Sequence, residues 1–136
     1  MISGSRFLRM VLPKYGTPAF EWKLAIHGAA MAASEQQSVK FLVNEPLEVE
    51  IVLHMRGGLA KRDVDNRVKQ VLDALQGKLG QAGKKPGLFL DDNQVFRIVA
   101  ETRRLPADLP KSHGGWLTVV TYNADQAATD PMGPRK

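Results

Sequence analysis

The sequence predicts a single α+β domain, with about four strands in one mixed sheet and two main helices. Its 136 residues and 15.0 kDa suit one domain with one modest core. Apolar residues alternate in some segments and recur every three to four residues in others, which indicates both strands and helices. The hydrophobic fraction of 43 % and charged fraction of 24 % are close to the average for soluble globular proteins. We therefore expect a folded domain over residues 1–122 and a disordered tail over residues 123–136.

Four segments have the composition or the alternation of strands. In residues 47–55, apolar side chains alternate with Glu48, Glu50 and His54, which gives the clearest strand with one buried face. The other strands are expected over residues 6–12, 95–101 and 116–122. Prolines and glycines in residues 105–115 predict a connection between the last two.

Two segments have helical patterns. Residues 20–37 are rich in Ala, Glu, Gln and Lys and predict the first helix. The second is expected from about Asp65, because the apolar residues nearby recur at helical spacing. These residues are Val64, Val68, Val71, Leu72, Leu75 and Leu79. We expect a mobile basic loop over residues 57–62 ahead of this helix, and a break over the glycine-rich residues 77–87.

The charge distribution indicates a polyanionic partner. The net charge is +5 and the pI about 9.7, and the segment from Arg56 to Arg104 holds 11 basic and 6 acidic residues, which is the whole excess. Cysteine is absent, which excludes disulfides, thiol catalysis and cysteine-ligated metals. The sequence has no apolar run of about 18 residues and no secretory signal, so a cytoplasmic location is expected. The three histidines are dispersed without zinc spacing, and we assign them no role.

Acidic residues inside the basic segment are the candidates for chemistry. Asp63 and Asp65 could share one cation if the chain is extended there and the helix starts afterward, because side chains two apart in a helix diverge by about 200°. Carboxylate oxygens suit Mg²⁺ or Mn²⁺, which can polarise a phosphate oxygen and activate water. Lys69 follows Asp65 by one helical turn, where it could stabilise charge on a phosphate or leaving oxygen.

Each of these features also has a purely structural interpretation. Asp-x-Asp-Asn alone is typical of a helix N-cap, and the pair at residues 91–92 is typical of a turn. Lys69 alone is typical of an exposed partner for Asp65 or Asp73, and for Asp73 itself we favour a structural role. An EF-hand is excluded, because Val68 stands where that loop requires glycine.

Three linked motifs resemble the RusA family of Holliday junction resolvases, which are small, often prophage-encoded, magnesium-dependent endonucleases. Residues 62–69 contain Asp-x-Asp-Asn followed by the lysine, residues 73–75 are Asp-Ala-Leu, and residues 91–95 are Asp-Asp-Asn-Gln-Val. All three occur in the order found in that family, within residues 56–101. Two departures concern the Pro- and Asn-rich segment usual after the first strand, reduced here to residues 14–18, and a longer loop at residues 77–87.

The resemblance implies a site and a function. It implies that Asp63, Asp65 and Asp92 bind the catalytic metal and that Lys69 is the catalytic lysine. Because adjacent residues in an extended chain face opposite ways, we expect one of Asp91 and Asp92 to point at the metal, and we favour Asp92 with Asp91 as the alternative. It implies Mg²⁺, with Mn²⁺ as a substitute, an intertwined homodimer, and cutting of four-way DNA junctions by paired nicks in DNA recombination and repair. The basic residues expected to contact DNA are Arg56, Lys61, Arg62, Arg67, Lys84, Lys85 and Arg97.

Two alternatives remain on sequence grounds. In one, the chain is a basic DNA-binding protein without nuclease activity, in which the aspartates cap a helix and the Lys and Arg residues contact phosphates. In the other, it is a prophage-borne structural domain. Cleavage of a four-way junction with and without magnesium separates the enzyme from the binding protein.

Overall fold

The computed structural model describes residues 6–55, 61–89 and 92–122; at residues 61–63 and at Asp92 it describes the backbone alone. Two short 3₁₀ turns, Gly80–Ala82 and Asp92–Gln94, accompany the main elements. The main elements in chain order are β1 (Phe7–Pro13), α1 (Ala19–Gln37), β2 (Leu47–Met55), α2 (Lys61–Leu75), β3 (Val95–Arg104) and β4 (His113–Thr121). The tail expected over residues 123–136 and residues 57–60 of the expected basic loop lie outside the described residues.

The four strands form one mixed sheet, as the sequence predicts, and the structure shows their order to be β1-β4-β2-β3. Strand β4 is antiparallel to β1 and to β2, while β2 and β3 are parallel. The alternation in β2 is confirmed, because Leu47, Val49 and Ile51 are buried and Glu50 is exposed. A parallel neighbour requires a crossover connection, and α2 provides it between β2 and β3.

The two helices bury the apolar face of the sheet. Helix α1 packs against β1 and against α2. The apolar stripe predicted for the second helix is confirmed, since Val71 and Leu75 are fully buried. Lys23 Nζ on α1 lies 3.3 Å from Asp73 Oδ2 on α2. This ion pair between helices agrees with the structural role favoured for Asp73.

The start of α2 differs from the prediction. The helix begins at Lys61 rather than near Asp65, so Lys61 and Arg62 are helical and do not belong to a loop. Lys and Arg are good helix formers, and an acid such as Asp63 in the first turn interacts favourably with the positive end of the helix dipole. The extended backbone that we expected at residues 63–65 is therefore wrong.

The last two strands also differ from their predicted bounds. Strand β3 continues past residue 101 to Arg104, because its pairing with β2 extends to the end of that strand. Strand β4 begins at His113, three residues early, and ends at Thr121. Gly115 permits this early start: its φ is 138°, and a Cβ there would collide with the carbonyl oxygen of Val52 on β2.

The glycine-rich segment after α2 forms a compact loop and confirms the predicted helix break. Gly77 has φ 80°, and its carbonyl oxygen accepts a hydrogen bond of 2.9 Å from the Lys85 N–H. Leu79 is fully buried beneath this loop, although it lies beyond the end of the helix. The loop therefore turns the chain back toward the sheet while still contributing to the core.

Candidate active site

The exposed side of α2 carries two of the predicted site residues. Asp65 and Lys69 are one helical turn apart and both are exposed. Neither forms an ion pair with a side chain in the described part of the chain. An exposed carboxylate and an exposed ammonium group therefore lie one helical turn apart on this side of α2.

Position 63 lies on a different side of α2 from position 65. Because α2 is already helical there, residues two apart are rotated by about 200° around the helix axis. Position 63 instead aligns with position 67, one turn later. Two sides of the first turns thus carry predicted site residues, one with Asp63 and Arg67 and the other with Asp65 and Lys69.

The first turns of α2 lie at the end of β2 where that strand terminates. Arg67 Nη1 is 3.5 Å from Sδ of Met55, the last residue of β2. The Arg67 guanidinium also stacks on the ring of Tyr15, just after β1, with its Cζ 3.7 Å from the ring centroid. These contacts place positions 63 and 65, within one turn of Arg67, near this end of the sheet.

Asp92 lies at the other end of β2. It begins the short turn that precedes β3, and Val95 of β3 pairs with Leu47, the first residue of β2. The buried Gln94 fixes this corner, because its Nε2 donates to the carbonyl oxygens of Leu42 at 3.0 Å and Glu45 at 3.1 Å. Asp91 lies outside the described residues.

The length of β2 separates these two groups of acids within one chain. From Leu47 to Met55 the strand spans about 26 Å at roughly 3.3 Å per residue. A metal ion joins ligands only about 2.0–2.6 Å from it on each side, so it cannot connect the two ends of this strand. One chain therefore does not bring Asp92 to the first turn of α2.

The donor chemistry at Asp65 fits a hard divalent cation. Among the side chains that the structure describes, no three His, Cys, Asp or Glu residues lie close enough together to hold a metal ion. The side chains of Asp63, Asp91 and Asp92 are not among them. The exposed carboxylate of Asp65, which forms no ion pair with a described side chain, is an oxygen ligand of the type that Mg²⁺ prefers.

The predicted DNA-contacting residues occupy different environments. Lys84 and Lys85 are exposed on the loop after α2, which is held to α1 by a 2.7 Å contact between His27 Nε2 and the Pro86 carbonyl oxygen. Arg97 instead forms a 2.7 Å ion pair with Glu48. Arg56 lies outside the described residues, and Lys61 and Arg62 are described by their backbone alone.

The sheet face opposite the helices holds a histidine pair that the sequence did not indicate. His54 and His113 have Nδ1 atoms 3.1 Å apart, and their rings lie at 26° to one another. Burial lowers the pKa of His54, with further lowering by His113 and Arg103. On the same face, a hydrogen bond with Glu48, then burial, raises the pKa of Glu50. The histidines are 59 residues apart, so no local pattern could have predicted their contact.

The fold and these residues define a small, basic α+β protein with an exposed carboxylate and an exposed ammonium group on α2. The family model described as "Endodeoxyribonuclease RusA" matches residues 14–112, most of the chain. The chain therefore belongs to the RusA family of endodeoxyribonucleases, which are Holliday junction resolvases. The predicted residues Asp63, Asp65, Lys69 and Asp92 all lie within the matched region. No curated protein matches the chain. None of the described helices is long and apolar enough to cross a membrane.

Proposed function

We propose that this chain is a Mg²⁺-dependent homodimer that resolves four-way DNA junctions by paired nicks, with Mn²⁺ as a substitute ion. Its role is in DNA recombination and repair, in the cytoplasm. The observation that carries the proposal is the family match over residues 14–112, which contains every predicted catalytic position. The net charge of +5 and the exposed Asp65 and Lys69, which form no ion pair with a described side chain, support it.

We further propose that each active site draws on two copies of the chain. Asp63 and Asp65 follow the end of β2, whereas Asp92 precedes the strand that pairs with its start. A two-fold axis brings the α2 end of one copy to the Asp92 end of the other, and the same contact then occurs twice. The dimer consequently has two equivalent sites, which matches a junction with two symmetric strands to cut.

The predicted site residues have separate roles in the hydrolysis of the phosphodiester bond. A divalent ion held by Asp63, Asp65 and Asp92 would polarise a phosphate oxygen and make a water molecule more acidic. The water oxygen would bond to phosphorus as the bond from phosphorus to the 3′ oxygen breaks. The attacking water would release a proton to solvent and the 3′ oxygen would take one from solvent, which leaves a 5′-phosphate and a 3′-hydroxyl. Lys69 stabilises the charge that develops on the phosphate or on the leaving oxygen. Lys84 and Lys85 bind the DNA backbone beyond the site.

A junction-cleavage assay tests the proposal. A labelled four-way junction and a duplex of one arm are incubated with the protein in Mg²⁺ or in EDTA. We expect cleavage of the junction only, in Mg²⁺ only, and loss of cleavage in Asp65→Asn with junction binding retained. Asp108→Asn is the matched control, because Asp108 is also exposed but lies in the connection between β3 and β4. Binding without cleavage by the wild-type protein would instead identify a non-catalytic DNA-binding protein.

A further inference from the structure

We propose that Tyr15 is a positioning residue that holds the Arg67 guanidinium to bind a DNA phosphate beside the active site. The inference rests on the proposed function and extends it to a residue outside the acidic motifs. Tyr15 belongs to residues 14–18, the segment in which the sequence departs from the usual family pattern. The ring stacks on an arginine that is distant along the chain, which gives that segment a specific role.

Among the described side chains, Arg67 contacts only neutral groups. Its neighbours are the Tyr15 ring, 3.7 Å from Cζ, and the Met55 sulfur, 3.5 Å from Nη1. Both are neutral groups. Three other arginines in the described part of the chain are ion-paired, namely Arg6 with Glu45, Arg97 with Glu48 and Arg103 with Glu101, whereas Arg9 and Arg104 have no ion pair with a described side chain. Arg67 has no such carboxylate partner there.

The aromatic ring that supports Arg67 is itself held in place. Tyr15 is half-buried and meets the Trp22 ring edge-on, with centroids 4.9 Å apart. The Trp22 indole N–H donates a 3.0 Å hydrogen bond to the Pro13 carbonyl oxygen, which fixes Trp22 to the end of β1. Because Arg67 covers the face of Tyr15, we infer that the ring orients the arginine and does not stack on a DNA base.

Stacking suits phosphate binding because it leaves the guanidinium edge available. A planar guanidinium can stack through its face while its N–H groups hold two oxygens of one phosphate. Arg67 is on the side of α2 that carries position 63, one turn away. A phosphate bound there would lie next to the predicted metal ligands, so the pair would place the DNA backbone for cleavage.

The test compares Tyr15→Leu, Tyr15→Phe and Arg67→Gln with the wild-type protein. Junction binding is measured in EDTA over a range of salt concentrations, and cleavage is measured in Mg²⁺. We expect Arg67→Gln to weaken junction binding about tenfold. The slope of the logarithm of the binding constant against the logarithm of the salt concentration should become shallower by about 1 for each phosphate that the protein no longer neutralises. Tyr15→Leu should weaken junction binding about 2- to 5-fold. Tyr15→Phe should bind the junction as the wild-type protein does, because the ring face remains.

A double-mutant cycle separates positioning from general effects on the fold. If Tyr15 acts through Arg67, Tyr15→Leu has no additional effect on binding in the Arg67→Gln protein. Arg9→Gln is the matched control, because Arg9 also stacks on an aromatic ring, with its Cζ 4.4 Å from the Trp116 centroid, but on the sheet face opposite the helices. An equal loss of binding in Arg9→Gln would show that the effect of Arg67→Gln comes from the change in net charge, and it would overturn the inference.

Nuclear magnetic resonance of the DNA-free protein provides an independent readout. Ring currents from Tyr15 should shift the Arg67 side-chain signals in the wild-type and Tyr15→Phe proteins but not in Tyr15→Leu. Unshifted Arg67 signals in the wild-type protein would overturn the positioning role whatever the DNA result. A protein that binds the junction with the predicted Tyr15 dependence but does not cut it in Mg²⁺ would refute the nuclease and leave the positioning role in place. Absence of junction binding would overturn both.

Discussion

Mixing two inactive variants should restore cleavage if each active site is shared between two copies. Asp63→Asn and Asp92→Asn each remove one ligand from both sites of a homodimer, so each variant alone should not cut. Each shared site takes Asp63 from one copy and Asp92 from the other. In a mixed dimer, one site therefore receives both substituted residues, while the other receives native Asp63 and native Asp92. The structural basis is the span of about 26 Å along β2 that separates the two positions within a chain.

The expected recovery follows from random pairing of subunits. At equal amounts, about half of the dimers are mixed, and each has one intact site of two, so about a quarter of the wild-type sites are restored. The variants are denatured together, refolded, and assayed on a labelled four-way junction in Mg²⁺. Because each mixed dimer cuts one strand, the products should be single nicks rather than paired cuts.

Refolding each variant alone controls for recovery that does not require mixing. A mixture of Asp63→Asn with Asp65→Asn is a second control, because both residues belong to the same copy at each shared site and no mixed dimer then has an intact one. Recovery in that control, or none in the mixture of Asp63→Asn with Asp92→Asn, would refute a site built from two copies.

Three further substitutions test the roles of single residues. Lys69→Met should lower cleavage about 100-fold while binding in EDTA is unchanged, since it removes charge stabilisation at the reacting phosphate; equal losses of binding and cleavage would contradict this. Gly115→Ala should lower the free energy of unfolding by about 2 kcal/mol or more, because Gly115 has a φ of 138° and approaches the Val52 backbone closely. The loss would be detected as a lower Tm. Gly28→Ala is the control and should raise Tm, because Gly28 lies on α1 with open space around it. The folded pKa of His54 is lowered below 6.5, so its contribution to stability is complete above pH 6.5 and is lost as pH falls below that value. Tm should therefore fall more between about pH 7 and pH 5.5 in the wild-type protein than in His54→Gln, and equal falls would show that the histidine is not responsible.

Local patterns predicted most of the fold. The alternation in residues 47–55 predicted β2 to the residue, and the apolar stripe predicted which side of α2 is buried. The start of α2 was misplaced because Lys61 and Arg62 suit a helix as well as a basic loop, and composition does not distinguish the two. The extent of β3 depends on its pairing with β2, which the polar residues 102–104 do not reveal in their own sequence.

The candidate site was less accessible to sequence reasoning, because its residues are distant along the chain. The motifs identified Asp63, Asp65 and Asp92, but their arrangement depends on the direction of β2 and, we propose, on a second copy. The contact of Tyr15 with Arg67 joins the segment after β1 to α2, and no residue spacing predicts such a contact. Motifs therefore predicted the chemistry, while the strand order led to the proposal that two chains assemble the site.

The central claim is that acids from both ends of the sheet share one divalent ion. A titration of the DNA-free protein with Mn²⁺ tests this without relying on cleavage. The electron paramagnetic resonance signal of the unbound ion measures how much Mn²⁺ remains in solution. We expect the wild-type protein and Asp108→Asn to bind Mn²⁺, and we expect Asp63→Asn and Asp92→Asn each to lose this binding. Retention of wild-type Mn²⁺ affinity in either of these two variants would contradict the account.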